Sequence, residues 1–265
     1  MNSKLKGQGF LAGVGLLAGF YAVLILSLLL VDFGATDWAD FRAALKSDAI
    51  LYSIKLSFLS CTLAAILSLI VAVPTGYLLA RFRFPGRGML AALFDVPIVL
   101  PPLVVGLSLL ILFQTAFGRF FEANIMEVTY ELPSVVLAQF VVGCAFAVRT
   151  MRLCFERIDP RCEQVARTLG CSRGQAFRTV VLPEARGGMI AAASLAWARA
   201  LGEFGPILVF SGATRMKTEV LPTTVFLELS LGNLQAALAV SLLMVVGAIA
   251  VLMLARTFGM RGGLL

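Results

Sequence analysis

Asp95, Arg199 and Glu203 fall inside long apolar runs of this chain, where charge is expensive. An arginine near the middle of a bilayer costs about 2.5–3.5 kcal/mol on insertion scales, so it needs a partner or water. Glu203 follows Arg199 by one helical turn and shares its face, and Asp95, in a different run, is a second candidate partner. That chemistry has three uses: an ion pair that fixes packing, a cation beside a path for an anion, and a latch that breaks when a gate opens. The sequence supplies no material for a reactive centre. Histidine is absent, which removes the commonest metal ligand and the usual proton shuttle. Cys61, Cys144, Cys154, Cys162 and Cys171 form no CxxC pair, so reduced thiols are expected rather than a disulfide framework. No GxxxxGK[ST] loop is present to cradle ATP phosphates. Ser108 or Ser194 alone makes no nucleophilic site, so no catalytic or metal-ligating residue is assigned.

The elements that hold these charges are set by composition. Of 265 residues, 60% are hydrophobic and 14% charged, against about 25% charged in an average soluble domain. A soluble chain of this length could not hide so much apolar surface in one core, and lipid is the natural solvent for it. Apolar runs predict six spans, at about 10–31, 50–80, 89–113, 134–155, 187–210 and 234–255. The first run has no charge and is too long for a secretory core of about 7–15 residues. It is expected to stay as an anchor. Lys55 lies near the start of its span, where it can snorkel. Pro101 and Pro102 interrupt the third span and free carbonyls that protein or cavity water must satisfy, so a kink lining a cavity is expected there. The fifth span is rich in Gly, Ala and Ser, which let helices approach closely. It is a candidate for the seam of a two-fold dimer, and equally for tight packing within one subunit. Trp38, Trp197 and Tyr130 read as interface anchors or packing.

Charge sets the orientation. With the N-terminus inside, the cytoplasmic segments hold Lys4, Lys6, Arg81, Arg83, Arg87, eight arginines from Arg149 to Arg186, Arg256 and Arg261. The external segments hold Arg42, Lys46, Arg119, Arg215 and Lys217. Fifteen against five obeys the positive-inside rule and places both termini in the cytoplasm. The net charge of +7 is therefore an orientation signal, and nucleic acid is not an expected partner.

The longest cytoplasmic loop, about 156–186, contains a short helix. Val165 and Leu169 lie one turn apart, Gly170 is a natural C-terminal stop, and Ser172 can cap a further turn. A short arginine-flanked helix at a membrane surface can lie on anionic lipid or be gripped by a soluble partner. The loop resembles the EAA loop of ABC-importer permeases, whose pattern is E-A-A-x-x-x-G, nine residues, then I-x-L-P. The aligned residues are Gln164, Val165, Ala166, Gly170, Val180, Leu182 and Pro183. Gln164 and Val165 depart from the pattern, and Glu163 supplies the neighbouring carboxylate.

The resemblance implies an all-α, six-span type I importer permease, a single transmembrane domain over 1–265, in a bacterial or archaeal cytoplasmic (inner) membrane. It implies that the loop is a coupling helix docking on a separate ATPase. Glu163, Gln164, Ala166, Arg167, Leu169, Gly170 and Ser172 carry over as coupling residues. ATP and Mg would bind that partner, and this chain would carry no cofactor and not be an enzyme. A homodimer and an extracytoplasmic oxyanion-binding protein complete the expected assembly. Arg83-Phe-Pro-Gly86, Asp95-x-Pro97-x-x-x-Pro101-Pro102 with Gly106, Ala200-Leu-Gly-Glu-Phe-Gly205 and Thr218-x-x-Leu221-Pro222 resemble the molybdate/tungstate permeases, with sulfate/thiosulfate permeases as near relatives. Asp95, Pro101, Pro102, Arg199 and Glu203 are the candidate path or gate residues. An ion-coupled carrier or channel is the rival class, and it would need neither coupling loop nor ATPase.

Overall fold

The computed structural model describes residues 2–260. Arg261 of the charge tally lies outside them, as do the side chains of Lys4, Lys6 and Arg256. The described chain is helical throughout: α1 (Asn2–Gly34), α2 (Trp38–Lys46), α3 (Asp48–Arg81), α4 (Arg87–Val99), α5 (Pro102–Gln114), α6 (Ala116–Asn124), α7 (Leu132–Arg157), α8 (Pro160–Thr168), α9 (Arg173–Ala176), a π-helical turn (Phe177–Val181), α10 (Leu182–Glu184), α11 (Arg186–Leu201), α12 (Gly205–Phe210), α13 (Leu221–Ser230) and α14 (Leu234–Met260).

The core is the bundle of α3, α7 and α11. Small side chains make the contact so close. A Cβ on Gly76 of α3 would stand 2.8 Å from Met151 Cβ and 2.9 Å from the Arg152 amide, and one on Gly188 of α11 would reach 2.2 Å from Cys154 Sγ. Ala192, Ala196 and Ala200 of α11 are wholly buried. Small residues of the fifth apolar run are thus used at these positions for close packing within the subunit. Trp197 packs there too, its Nε1 donating to Thr62 Oγ1 at 3.3 Å. Buried serines on α3 turn their hydroxyls back to the helix's own carbonyls, as Ser53 does to Ile50 and Ser68 to Ala64. That satisfies them where water is absent.

Among the described residues, four helical stretches are long and apolar enough to cross a bilayer: Gly13–Gly34, Asp48–Arg81, Leu132–Arg157 and Leu234–Met253. The first buries none of its apolar stretch against the rest of the chain. Two of the six expected spans are not continuous helices. The third breaks between α4 and α5, whose axes turn by 111°, far more than a kink. Two adjacent prolines account for it, because each forces the residue before it out of helical geometry. Leu100 and Pro101 both have extended ψ, 139° and 135°. The fifth run splits at Gly202–Phe204 into α11 and α12. With 16 residues, α11 reaches roughly 24 Å, short of a hydrocarbon core of about 30 Å.

The two ends of the bundle differ in charge. At one, Arg81 ends α3 and Arg157 ends α7, Arg87 and Arg152 both approach Glu156, and Arg81 approaches Glu163 of α8. At the other, the Tyr52 hydroxyl donates to Lys217 O at 3.1 Å and the Lys217 ammonium pairs with Glu131. The helices α3 and α7 therefore run parallel, each from the second end to the arginine-rich one.

Candidate functional site

The arginine-rich end carries a helical lever on an aromatic bed. At the start of α8, the Asp159 carboxylate accepts from the Arg161 amide at 2.9 Å, with Pro160 at the first helical position. The helix ends as the sequence predicts. Gly170 sits at φ +96°, the Gly170 amide donates to Arg167 O, and the Cys171 amide donates to Ala166 O, both at 3.1 Å. This is the paired Schellman closure, which needs a left-handed residue at that position. Ser172 then caps α9 reciprocally with Gln175, at 3.3 and 2.8 Å. The chain between α8 and α11 is in consequence a short rigid helical relay rather than a loop.

Two side chains of α8 fix it to the bundle. Glu163 accepts from the Tyr77 hydroxyl at 2.8 Å and lies 4.0 Å from Arg81 Nε, while Arg81 Nη2 donates to Ile158 O at 2.7 Å. The Tyr77 ring lies against Phe82, Phe155 and Phe177, at centroid distances of 5.8, 5.6 and 4.5 Å, and Arg173 sits over Phe82 at 4.9 Å. Ala166 is buried on the same side, 8% exposed. Of the expected coupling residues, Glu163 and Ala166 thus face inward and anchor the helix. Gln164, Arg167, Leu169, Gly170 and Ser172 face outward. Val165 and Leu169, 57% and 81% exposed, present an apolar pair one turn apart between arginines. The inward role of Glu163 has no signal in the sequence, because its partners come from α3. Replacing Glu163 with Ala is expected to strand the nearly buried Arg81, at a cost of about 1–3 kcal/mol. A lowered thermal midpoint of the detergent-solubilised protein, largely restored by Glu163→Gln, checks it.

Within the bundle the two broken helices meet at their breaks. A Cβ on Gly106 of α5 would stand 2.7 Å from Pro206 Cα, and one on Gly205 would stand 3.0 Å from the Leu103 amide nitrogen. Backbone rests on backbone, and the contact continues along the pair to Phe113 and Phe210, whose rings are 5.3 Å apart. Arg199, one turn before the α11 break, pairs with Glu203 at 2.8 Å and lies 5.0 Å over the Phe146 ring. The Glu203 side chain is 2% exposed and that of Arg199 is 41% exposed, so the pair turns its cation outward and buries its anion. Asp95 is not part of it. It lines a cavity with Arg149, Arg152 and Glu156, between α4 and α7. Pro101 and Pro102 stand exposed at the break.

The opposite end holds a polar clasp in the 211–233 segment. Thr214 O accepts from the amides of Lys217, Thr218 and Glu219 at 3.0–3.1 Å, and the Leu221 amide donates to Ser57 Oγ of α3 at 2.8 Å. Arg215 pairs with Glu228 at 2.6 Å, which also accepts from Asn233 at 3.0 Å. Glu219 is fully buried, and neither carboxylate oxygen has a hydrogen-bond partner. Burial pushes its carboxyl above the usual carboxylate range, with Glu228 adding to the effect and Thr224 and Arg215 opposing it. A carboxyl raised in the folded state binds more protons there than unfolded. Its contribution to stability is therefore full below the unfolded pKa, about 4.3, and is lost as pH rises toward the folded value. Glu219→Gln is expected to raise the thermal midpoint near neutral pH and to flatten its decline from pH 5 upward. Parallel melts of both proteins across that range check it.

Comparisons with known proteins agree with this geometry. Residues 72–260 match the family described as binding-protein-dependent transport system inner membrane component. The chain is 32% identical over 268 residues to the sulfate transport system permease protein CysT of Salmonella typhimurium, covering 99% of this chain and 97% of that protein. It is 35% identical over 249 residues to a probable molybdenum ABC transporter permease protein of Haloferax volcanii, covering 92% and 88%. Among solved structures, the fold is shared with a chain of a bacterial alginate ABC transporter, at TM-score 0.70 and 16% identity over 91% of this chain and 94% of that one. It is also shared with a chain of the MetNI methionine ABC transporter, at TM-score 0.66 and 16% identity over 82% and 100%. An apolar helical bundle with a capped relay at its arginine-rich end and two helices broken in register, matched over most of its length, belongs to the binding-protein-dependent transport system inner membrane component family, as an ABC-importer permease subunit.

Proposed function

We propose that this chain is the path-forming permease subunit of an ATP-driven importer of molybdate or tungstate. It works as a homodimer in a bacterial or archaeal inner membrane, with six membrane passages and both termini in the cytoplasm. The observation that carries the reading is the outward face of α8. Val165 and Leu169 are exposed apolar residues on a helix otherwise clamped to the bundle through Glu163, as a surface must be if a partner is to push it. ATP and Mg bind the partner ATPase. Closure of the ATPase dimer moves the relay 160–184 as one body, and the bundle of α3, α7 and α11 turns with it, a rigid-body transmission. The broken pair α4–α5 and α11–α12 forms the constriction, because irregular backbone inside a membrane is tolerated only where protein or a water-filled cavity satisfies it. Arg199, already paired to Glu203, offers a passing dianion a weak cationic contact rather than a trap, as conduction demands.

Molybdate or tungstate is favoured by the Asp95-to-Pro102 pattern and the Thr218–Pro222 segment, and by 35% identity to the Haloferax volcanii protein. Sulfate is the second reading, favoured by the near end-to-end match to CysT. Proteoliposomes holding the assembled importer and its binding protein decide between them. ATP-dependent molybdate uptake that excess sulfate leaves unchanged is the expected result. Uptake suppressed by equimolar sulfate would move the assignment to sulfate. Uptake driven by membrane potential without ATP would end the importer reading.

A further inference from the structure

The cavity between α4 and α7 is not used by the transport path described above. It measures about 220 Å³ and is lined by Leu79, Ala91, Phe94, Asp95, Val148, Arg149, Arg152, Leu153 and Glu156. It adjoins a more open hollow that also touches Arg87. Its charges are arranged on opposite walls. On the α7 wall, Arg149 and Arg152 stand one turn apart. Glu156 is already engaged, 2.9 Å from Arg152 and 3.7 Å from Arg87. Arg149 has no ion pair among the described residues, and on the α4 wall neither has Asp95. A cation and an anion thus share a cavity without meeting.

We propose that this cavity holds the headgroup of a phospholipid that carries both a phosphate and a primary ammonium, a phosphoethanolamine head. The phosphate lies against Arg149 and Arg152, whose planar guanidinium groups suit its oxygens, and the ammonium lies against Asp95. A simple anion would leave Asp95 opposed and unpaid in charge, and a quaternary ammonium cannot donate hydrogen bonds to it. Position argues for a lipid rather than a soluble zwitterion. The cavity lies along the first turns of α4 and the last turns of α7, at the arginine-rich end, where headgroups sit. Beside it, Met89 and Leu93 of α4 and Leu153 of α7 are 81%, 61% and 51% exposed, an apolar strip on which acyl chains can lie. The proposal depends on this being a membrane protein and is independent of the ion it carries.

Native mass spectrometry of the delipidated protein, titrated with phosphatidylethanolamine, phosphatidylcholine and phosphatidylglycerol of matched chains, tests it. Wild-type protein is expected to retain phosphatidylethanolamine about fivefold more strongly than either other lipid, on the scale of one basic residue near a membrane surface. Arg149→Gln should weaken retention of all three lipids together, because each carries the phosphate that Arg149 holds. Asp95→Asn should bind phosphatidylglycerol at least as well as phosphatidylethanolamine, since only the ammonium contact is lost. Both residues are off the packed core, and unchanged elution profiles would confirm intact folding. Equal retention of the three lipids by wild type would overturn the proposal, as would a phosphatidylethanolamine preference that survives Asp95→Asn or retention that Arg149→Gln leaves unchanged. Displacement of the bound lipid by millimolar sulfate would assign the cavity to a soluble oxyanion and overturn it likewise.

Discussion

Gly170→Arg is expected to leave the protein inserted and folded, and to lower ATP-driven uptake by more than about tenfold. The residue stands at φ +96° with nothing within 4 Å of where a Cβ would be. Bulk is therefore tolerated, and the penalty is conformational, about 1–2 kcal/mol for an L-residue in the left-handed region. The cheapest relief is to open the Schellman closure, which releases the Ala166 and Arg167 carbonyls and lets α8 tilt against α9. Stability changes little because this segment lies at the surface of the chain. The exposed pair Val165 and Leu169 is displaced, and a lever that no longer holds its angle transmits no stroke. Gly170→Asn separates this account from a simple loss of docking area. Asparagine tolerates left-handed geometry far better than other side chains, so it should keep most of the uptake. If both variants transported normally, the rigid-lever account would fail.

Gly106→Val is expected to have the larger effect on stability. Added at Gly106, a Cβ would meet Pro206 Cα at 2.7 Å and Pro206 O at 2.9 Å. These are backbone atoms that cannot swing aside, and overpacking of this kind costs typically about 1–3 kcal/mol. The strain falls where the two broken helices cross, so α5 and α12 must part, and uptake should fall with the thermal midpoint. Gly174→Ala is the control. Its added methyl meets nothing within 4 Å and the residue has no positive φ, so neither quantity should move appreciably. A Gly106→Val protein with wild-type melting would show that the breaks are not held together by this contact.

Both effects trace to features that differ in how far the sequence announces them. The stop of α8 and the cap of α9 are legible, because Gly170 and Ser172 each act on backbone groups within a few residues. The Asp159 cap of α8 is equally local but is missing from the sequence reading. The apolar runs behind α3 and α7 are legible for a similar reason, as their length alone settles them. The turn at Leu100–Pro101 is legible as an interruption but not as a 111° change of direction, since the angle depends on α5 finding α12. The break at Gly202–Phe204 is hidden inside an apolar run. The short helices α2, α6 and α13 occupy what the sequence presents as external connections. In α6, Phe117, Phe120, Phe121 and Asn124 follow a helical spacing that could have revealed it. Glu163 and Asp95 are harder cases. Their surroundings come from other helices, Tyr77 and Arg81 as partners for one and a cavity shared with the α7 arginines for the other, and no local pattern encodes those arrangements. Sequence spacing reads Arg199–Glu203 correctly because Glu203 follows only four residues on, just past the end of α11, so the two meet locally.

The outward face of α8 must press on a separate nucleotide-hydrolysing protein if the helix is to drive transport. Cys162, an exposed native thiol on that helix, is the natural probe. With the other cysteines replaced, a short maleimide–benzophenone crosslinker attached there should on irradiation insert into the ATPase and join it to the permease in membranes, with a yield that changes between nucleotide-free and ATP-bound states. A label that reached only lipid in both states, during measured uptake, would contradict the account.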